Sequence, residues 1–159
     1  MTALFHGTEI CEVSADGTAS LPAFITEALG ADAAADLLVS KHDDDSCLVG
    51  YARPHLGTLA ERNEQRRLSA EARGEDAAAH YRRMRRTFGL VDRMPRETDT
   101  IRIPEAMRHL GRIGTLALFV GTGDRFEIWN PDLAMECDDA SFRDLAAFRM
   151  QSHASKGVH

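Results

Sequence analysis

A pattern of strand, proline, glycine stop and hairpin occurs twice in the chain and constrains its fold more than any other feature. In the second copy, residues 100–103 alternate polar and apolar side chains, which is typical of a strand with one buried face. Pro104 follows this strand and Gly111 closes the run after it, which predicts a short helix between them. Residues 116–129 then predict a hairpin with its turn at 121–124.

The first copy shows the same events in the same order. The matching segments are 18–22 with 100–104, 23–30 with 105–111, and 37–51 with 116–129. Pro54 stands where Pro131 stands, each at the start of a predicted helix. Neither copy is large enough to bury a substantial core alone. We therefore predict a mainly β, α+β fold in which the two copies pair around a pseudo-twofold double split β-barrel, with helices between and after them.

Charge and composition limit the classes of function. The 159 residues carry 25 acidic and 19 basic side chains, a net charge of -6, whereas simple nucleic-acid binders are basic. Any DNA contact would therefore use a local patch. The three cysteines form no close pair, which indicates reduced thiols in the cytoplasm. We expect no membrane span and no signal peptide, because no apolar run approaches the ~20 residues of a span.

The sequence contains no pattern that indicates catalysis. It lacks a glycine-rich phosphate loop, a metal-binding cysteine spacing and a nucleophile elbow. We predict no enzymatic activity, no catalytic residue, no metal ligand, no cofactor and no small-molecule substrate. The turn from His42 to Asp45 places a histidine beside three carboxylates, but adjacent turn residues rarely converge on an ion, so we predict a solvated turn.

The middle of the chain changes to helical periodicity. Ala77, Tyr81, Met84 and Phe88 share one helical face, which we predict packs against the barrel or a partner helix. Four arginines occupy the opposite face: Arg82, Arg83, Arg85 and Arg86. They favour contact with phosphate or an acidic partner. The alternative is a solvated face paired with nearby acids, namely Glu61, Glu64, Glu71, Glu75 and Asp76.

Further predictions concern Trp129, the end of the chain and the connection before the first hairpin. Trp129, with Phe119, Phe126 and Ile128, should anchor either the core or a subunit contact. A last helix should cover residues 140–150, with Phe142, Leu145 and Ala146 on one face, and a disordered tail should follow at 151–159. Residues 31–36 predict a linker or short helical extension.

Several motifs together resemble the MraZ family of division and cell-wall cluster regulators, which are built from two domains like those of the AbrB and SpoVT regulators. The motifs are residues 119–131, Phe5-His-Gly7, Gly17 followed by Ser20-Leu-Pro22, and Ile101-Arg-Ile-Pro104. The resemblance implies repeats at 4–54 and 91–131, a helical linker at 55–90, and C-terminal helices at 132–150. It also implies a cytoplasmic, nucleoid-associated repressor that binds repeated promoter sites on double-stranded DNA as a ring-like homo-oligomer.

The chain differs from the family at the residues with which the family binds DNA. The family pattern in each half is Asp, three residues, Arg, three residues and Pro. Thr18 and Thr100 stand at the two Arg positions, and Ser14 and Arg96 at the two Asp positions. A guanidinium can pair bidentately with guanine or phosphate, a contact of about 1–3 kcal/mol, whereas threonine offers one short hydroxyl.

Arg102 offers a replacement for the missing guanidinium. Because Ile101 and Ile103 should face the core, Arg102 should project on the same strand face as Thr100, with Arg96 approaching from the preceding loop. The predicted DNA-binding residues are Thr18, Ser20, Arg96, Thr100 and Arg102. The competing hypothesis is an assembly or interaction protein that has kept this fold and lost DNA binding.

Overall fold

The computed structural model describes residues 4–30 and 36–156, which form eight strands and six helices. The strands are β1 (Thr8–Glu12), β2 (Thr18–Ser20), β3 (Leu37–Lys41), β4 (Leu48–Ala52), β5 (Val91–Met94), β6 (Thr100–Arg102), β7 (Leu116–Gly121) and β8 (Phe126–Trp129). The helices are α1 (Ala23–Leu29), α2 (His55–Ala72), α3 (Ala78–Met84), α4 (Glu105–Gly111), α5 (Pro131–Ala134) and α6 (Ala140–Lys156). A π-helical turn, Arg85–Gly89, continues α3. The predicted α+β class is confirmed.

The larger sheet is a palindrome of the two sequence repeats. Its six strands lie in the order β1-β7-β8-β4-β3-β5, so that the two hairpins meet at its centre through β4 and β8. Each repeat contributes its first strand to the other repeat's hairpin: β1 pairs with β7, and β5 pairs with β3. The two short strands β2 and β6 pair separately as a two-stranded ribbon.

The two faces of the sheet bury different sets of side chains. On one face the hairpin residues pack with α1, α4 and the underside of the ribbon in the main hydrophobic core. Its members include Ile25, Val39, Leu48, Ile101, Met107, Phe119, Phe126 and Ile128. Alternate hairpin residues point to the opposite face, as the period of a strand requires.

Helices that follow each hairpin cover this second face. In the first repeat, Tyr51 lies with Leu38 and Val49 beneath Leu56 and Leu59 of α2. In the second repeat, Trp129 packs beneath α5 and α6, with its ring edge-to-face against Phe142 at 5.3 Å. The core interpretation of Phe119, Phe126, Ile128 and Trp129 is therefore confirmed, because Trp129 is only 4% exposed and the other three are fully buried.

The predicted inward face of the α3 region is wrong for three of its four residues, and only Met84 packs against α2. Tyr81 is 68% exposed and Phe88 is 41% exposed, and Ala77 is exposed as well. The buried Asn63 on α2 donates from Nδ2 to Thr87 Oγ1 at 2.8 Å and contacts Met84 Sδ at 3.6 Å. The side of the α3 region that carries Met84 and Thr87 therefore faces α2, where the buried amide has a hydrogen-bond partner.

The C-terminal helix is longer than its sequence pattern indicates. The predicted disordered tail is wrong for residues 151–156, because α6 continues to Lys156. Arg149 donates from Nε to Thr8 Oγ1 at 2.9 Å, which ties the second half of α6 to β1. Leu145 is 36% exposed, so only Phe142 and Ala146 of the predicted face pack inward. The predicted linker at 31–36 and residues 157–159 lie almost wholly outside the described residues.

Cys11, Cys47 and Cys137 are free thiols, and burial raises the pKa of Cys11 to about 12 and that of Cys47 still further. Within residues 4–30 and 36–156, no helix combines the length and the apolar character needed to cross a bilayer.

His55, at the start of α2, should make the stability of the protein depend on pH. Its imidazole packs edge-to-face on Tyr51 at 5.4 Å and has Nε2 3.9 Å from Asp124 Oδ2. Burial lowers its pKa below 6.5, Asp124 opposes the shift, and Arg62 and Arg125 reinforce it. The unfolded chain therefore binds the proton more readily, and stability present above pH 6.5 is lost as the pH falls.

Urea unfolding of the wild type and of His55→Phe at pH 5.5 to 8.5 tests this dependence. The free energy of unfolding of the wild type should fall more steeply below about pH 6.5 than that of the variant. Between pH 7.5 and 8.5 the two curves should run parallel. Equal slopes at acid pH would show that His55 does not carry the effect.

Candidate nucleic-acid interface

The β2–β6 ribbon presents the predicted DNA-binding residues on one exposed face. Its antiparallel register pairs Thr18 with Arg102, Ala19 with Ile101, and Ser20 with Thr100. Ala19 and Ile101 are 3% and 1% exposed and anchor the ribbon in the main core. The other four side chains therefore point away from the core, with Ser20 and Arg102 exposed and both threonines half-buried. The predicted orientation of β6 is confirmed.

The register refines the position of Arg102. It lies on the same face as Thr100, as predicted, but it is directly opposite Thr18 on the neighbouring strand. Directly opposed residues of an antiparallel pair have Cβ atoms about 4.5–5.5 Å apart, closer than next-but-one residues along a strand. Arg102 carries the only exposed guanidinium on the ribbon strands. It therefore lies closer to Thr18, at the family's Arg position in the first repeat, than to Thr100, at the same position in the second repeat.

A tight turn fixes the first repeat's strand against the second. Gly17 has φ +91°, and a Cβ there would lie 2.4 Å from the carbonyl oxygen of Ile103. Ile103 donates its N–H to Gly17 O at 2.9 Å, so the backbones touch at this point. Only glycine meets both conditions without strain. Within the turn, Thr18 N–H donates to Asp16 Oδ1 and to Ser14 Oγ, each at 3.1 Å.

These hydrogen bonds keep Asp16 ionised beside the ribbon. The Ser14 hydroxyl and the Thr18 backbone and side chain hold the pKa of Asp16 down to about 2, with a smaller contribution from Arg102. Ser14 thus orders the turn, and Asp16 supplies its negative charge. The local field at Arg102 includes this carboxylate.

A cavity of about 230 Å³ joins four of the five predicted residues. Thr18, Arg96, Thr100 and Arg102 line it, together with Pro95, Ile101 and Glu97. Arg96 bridges to Ile101 through its backbone and has Nε and Nη1 buried without a hydrogen-bond partner among the described residues. Ser20 lies on the same ribbon face but outside the cavity lining.

Arg108 is a positioning residue that the sequence alone did not single out. From α4 it donates through Nε to Ile103 O at 3.0 Å and through Nη1 to Ala15 O at 3.2 Å. It thus ties α4 to both the turn and β6. A second recess of about 460 Å³ contains Arg102 and Arg108 beside Asp16 and Glu105. Positive and negative groups therefore alternate around the ribbon.

The four arginines of the α3 region do not form one surface. Arg86 donates through Nη1 to Asp43 O at 2.9 Å, and Arg83 is half-buried between α2 and α3. Arg82 and Arg85 are exposed. The predicted pairing with acids of the neighbouring helix is wrong, because Glu64 and Glu71 are engaged by Arg67, and Glu75 by Arg73.

The turn at residues 42–45 places His42 near carboxylates from two separate segments of the chain. His42 Nε2 lies 3.9 Å from Asp45 Oδ2 and 3.7 Å from Glu127 Oε2. Its Nδ1, however, accepts the backbone N–H groups of Asp44 and Asp45 at 3.1 and 2.9 Å. The ring proton therefore sits on Nε2, which lies beyond hydrogen-bond distance of both carboxylates.

Comparison with known proteins identifies relatives along most of the chain. No family model matches it. The transcriptional regulator MraZ of Acidovorax sp. (strain JS42) is 28% identical over 152 residues, 94% of this chain and 92% of the relative. The MraZ regulator of Azotobacter vinelandii is 29% identical over 150 residues, covering 93% and 91%. That of Bifidobacterium longum is 28% identical over 133 residues, covering 81% and 79%. The predicted resemblance to the MraZ family is confirmed, and these relatives are named as transcriptional regulators.

Proposed function

We propose that this chain, a divergent relative of the MraZ transcriptional regulators, is a DNA-binding transcriptional regulator that contacts double-stranded DNA through the β2–β6 ribbon. The observation that carries the proposal is the ribbon's register, which sets Arg102 opposite Thr18 on an exposed face whose other side is anchored in the core. A two-stranded ribbon fits the major groove of B-DNA, where arginine can pair bidentately with guanine.

The proposed roles follow from the chemistry of each side chain. Arg102 supplies the base or phosphate contact, and Arg96, which lines the same cavity, supplies a second guanidinium from the loop before β6. Thr18, Ser20 and Thr100 offer hydroxyls to phosphate oxygens. Arg102 and Arg96 determine affinity, and the three hydroxyl groups set the orientation of the ribbon.

From the resemblance to the MraZ family we also infer that the protein represses the division and cell-wall gene cluster, binds repeated promoter sites, and lies in the cytoplasm associated with the nucleoid. We infer on the same basis that its fold is a double split-barrel of two AbrB-like repeats. The palindromic strand order supports the last of these. A ring-like homo-oligomer would strengthen weak half-sites through effective concentration.

A second candidate function is an assembly protein that has lost DNA binding. The alternation of Arg102 and Arg108 with Asp16, Glu97 and Glu105 favours it, because such a surface attracts polyanions weakly. Threonine at both family Arg positions favours it as well.

Fluorescence anisotropy across a salt series distinguishes the two functions. The purified protein should bind a labelled fragment from upstream of its own gene more tightly than a scrambled fragment, and both affinities should fall as salt rises. Arg102→Ala should reduce the preference for the native fragment by about 5- to 150-fold, the equivalent of one lost bidentate contact of about 1–3 kcal/mol.

Arg85→Ala is the charge-matched control, since Arg85 is exposed on the α3 region away from the ribbon. It should keep the preference for the native fragment. If neither fragment binds at low salt while the protein remains oligomeric, the regulator proposal fails and the assembly function stands.

A further inference from the structure

A second basic site lies between α2 and α3, on the helical linker and away from the ribbon strands in the chain. It is a cleft of about 560 Å³. Its lining residues are Arg62, Gln65, Arg66, Ser69, Arg73 and Arg83. Every one of these side chains carries a hydrogen-bond donor, and none is acidic. A cleft of this size and composition has the donor set of an anion site.

The spacing of these residues on α2 concentrates the charge on one side of the helix. Residues 62, 66, 69 and 73 recur at intervals of three and four, the period of one helical face. Leu59 and the buried Asn63 lie along one edge of this face, where they pack toward the sheet and α3. Arginines four residues apart repel each other, so an anion in the cleft would stabilise the helix that carries it.

Two of the four arginines have their charge already balanced. Arg62 Nη2 pairs with Asp124 Oδ2 at 3.0 Å, and Arg73 Nε pairs with Glu75 Oε1 at 2.9 Å. For Arg66 and Arg83, no acidic oxygen among residues 4–30 and 36–156 lies within ion-pair distance. The cleft therefore has an excess of two positive charges.

Arg83 provides the second observation that indicates a ligand. It is the one lining residue from α3, and its Nη1 is buried without a hydrogen-bond partner in the part of the chain that the structure describes. A buried donor on a charged group is costly when it stays unpaired. An anion that accepts from this N–H would remove that cost.

We propose that this cleft binds phosphate, with Arg66 and Arg83 as the principal ligands and Gln65 and Ser69 as neutral donors. A phosphate monoester carries about −1.5 to −2 charges at pH 7, which matches the two unbalanced guanidinium groups. Arginine forks also fit phosphate oxygens bidentately, and several donors can share its three terminal oxygens. The phosphate comes either from a free phosphorylated ligand or from a DNA backbone.

Isothermal titration with inorganic pyrophosphate at low salt tests the site. The wild type should bind the probe, and Arg83→Ala should bind it at least about tenfold more weakly, because a hydrogen bond to a charged group is lost. Arg66→Gln tests the same site at an exposed position, where failure to fold is not a concern. Arg82→Ala, the neighbouring exposed arginine outside the cleft, is the matched control and should bind like the wild type.

Two results would overturn the proposal: no pyrophosphate binding by the wild type, or an equal loss in Arg82→Ala and Arg83→Ala. The source of the phosphate follows from DNA binding by the same variants. A uniform weakening on native and scrambled duplexes, with a salt slope lower by about one, supports the DNA backbone. Unchanged DNA binding supports a free phosphorylated ligand. The pyrophosphate result does not depend on the ribbon, so it stands or falls separately from the regulator proposal.

Discussion

Gly50→Ala should lower the free energy of unfolding by about 3 kcal/mol, near the upper end of the usual cost of overpacking a core. A Cβ at Gly50 would lie 2.3 Å from Cε2 and Cζ of Phe126, whose ring is fully buried. The backbone has little freedom to retreat, because β4 pairs with β3 on one side and β8 on the other. Urea unfolding followed by far-UV circular dichroism measures the loss.

Two further variants identify the cause. Phe126→Leu removes the ring from the space above Gly50, so the double variant should lose less stability than the two single changes added together. Gly57→Ala, on α2 with no atom within 4 Å of the added Cβ, is the control and should gain up to about 1 kcal/mol. A Gly50→Ala cost no larger than that of an exposed substitution would refute close packing at the centre of the sheet.

Thr100→Arg should raise the affinity for the native promoter fragment by about tenfold or more, the largest change in binding that we expect from one substitution. It restores the guanidinium at a family Arg position, on the exposed ribbon face and opposite the uncharged Ser20. Thr18→Arg should gain less. Its new guanidinium would lie directly opposite Arg102, and like charges in that relation repel.

Ala23→Arg is the matched control for Thr100→Arg, since it adds the same charge at an exposed position just outside the ribbon strands. It should strengthen binding to native and scrambled fragments alike, because it adds charge without the family's contact. Anisotropy at two salt concentrations separates the effects. If Thr100→Arg also strengthens both fragments equally, position 100 does not read sequence, and the ribbon's proposed role is wrong.

The parts of the fold that follow from local pattern were predictable. Pro54 and Pro131 each mark the start of a helix, and Gly30 and Gly111 lie at the C-terminal ends of α1 and α4. Alternation in residues 100–103 correctly placed Ile101 inside and Arg102 outside. These signals are local because caps and strand periods depend on near neighbours.

The parts that failed depend on remote partners. Apolar spacing placed Tyr81 and Phe88 inside, but Asn63 on α2 contacts the side that carries Met84 and Thr87, and both aromatic rings are exposed. The hydrogen bond from Arg149 to Thr8 fixes the turn of α6 that precedes residues 151–156. Because these two residues are far apart in the chain, the local sequence does not indicate it. The pairing of Arg102 with Thr18 needed the strand register, and the arginine cleft needed the angle between two helices.

The exchange of first strands between the repeats makes one chain equivalent to a homodimer of half-length subunits. In such a homodimer Ser20 and Arg102 would be the same residue, because they occupy matching positions in the two repeats. Fusion into one polypeptide lets each copy mutate independently, and here only one has an arginine at that position. A duplex bound by this ribbon should therefore meet chemically different halves. We expect its preferred sites to be asymmetric, without the inverted symmetry that an identical pair of subunits would impose.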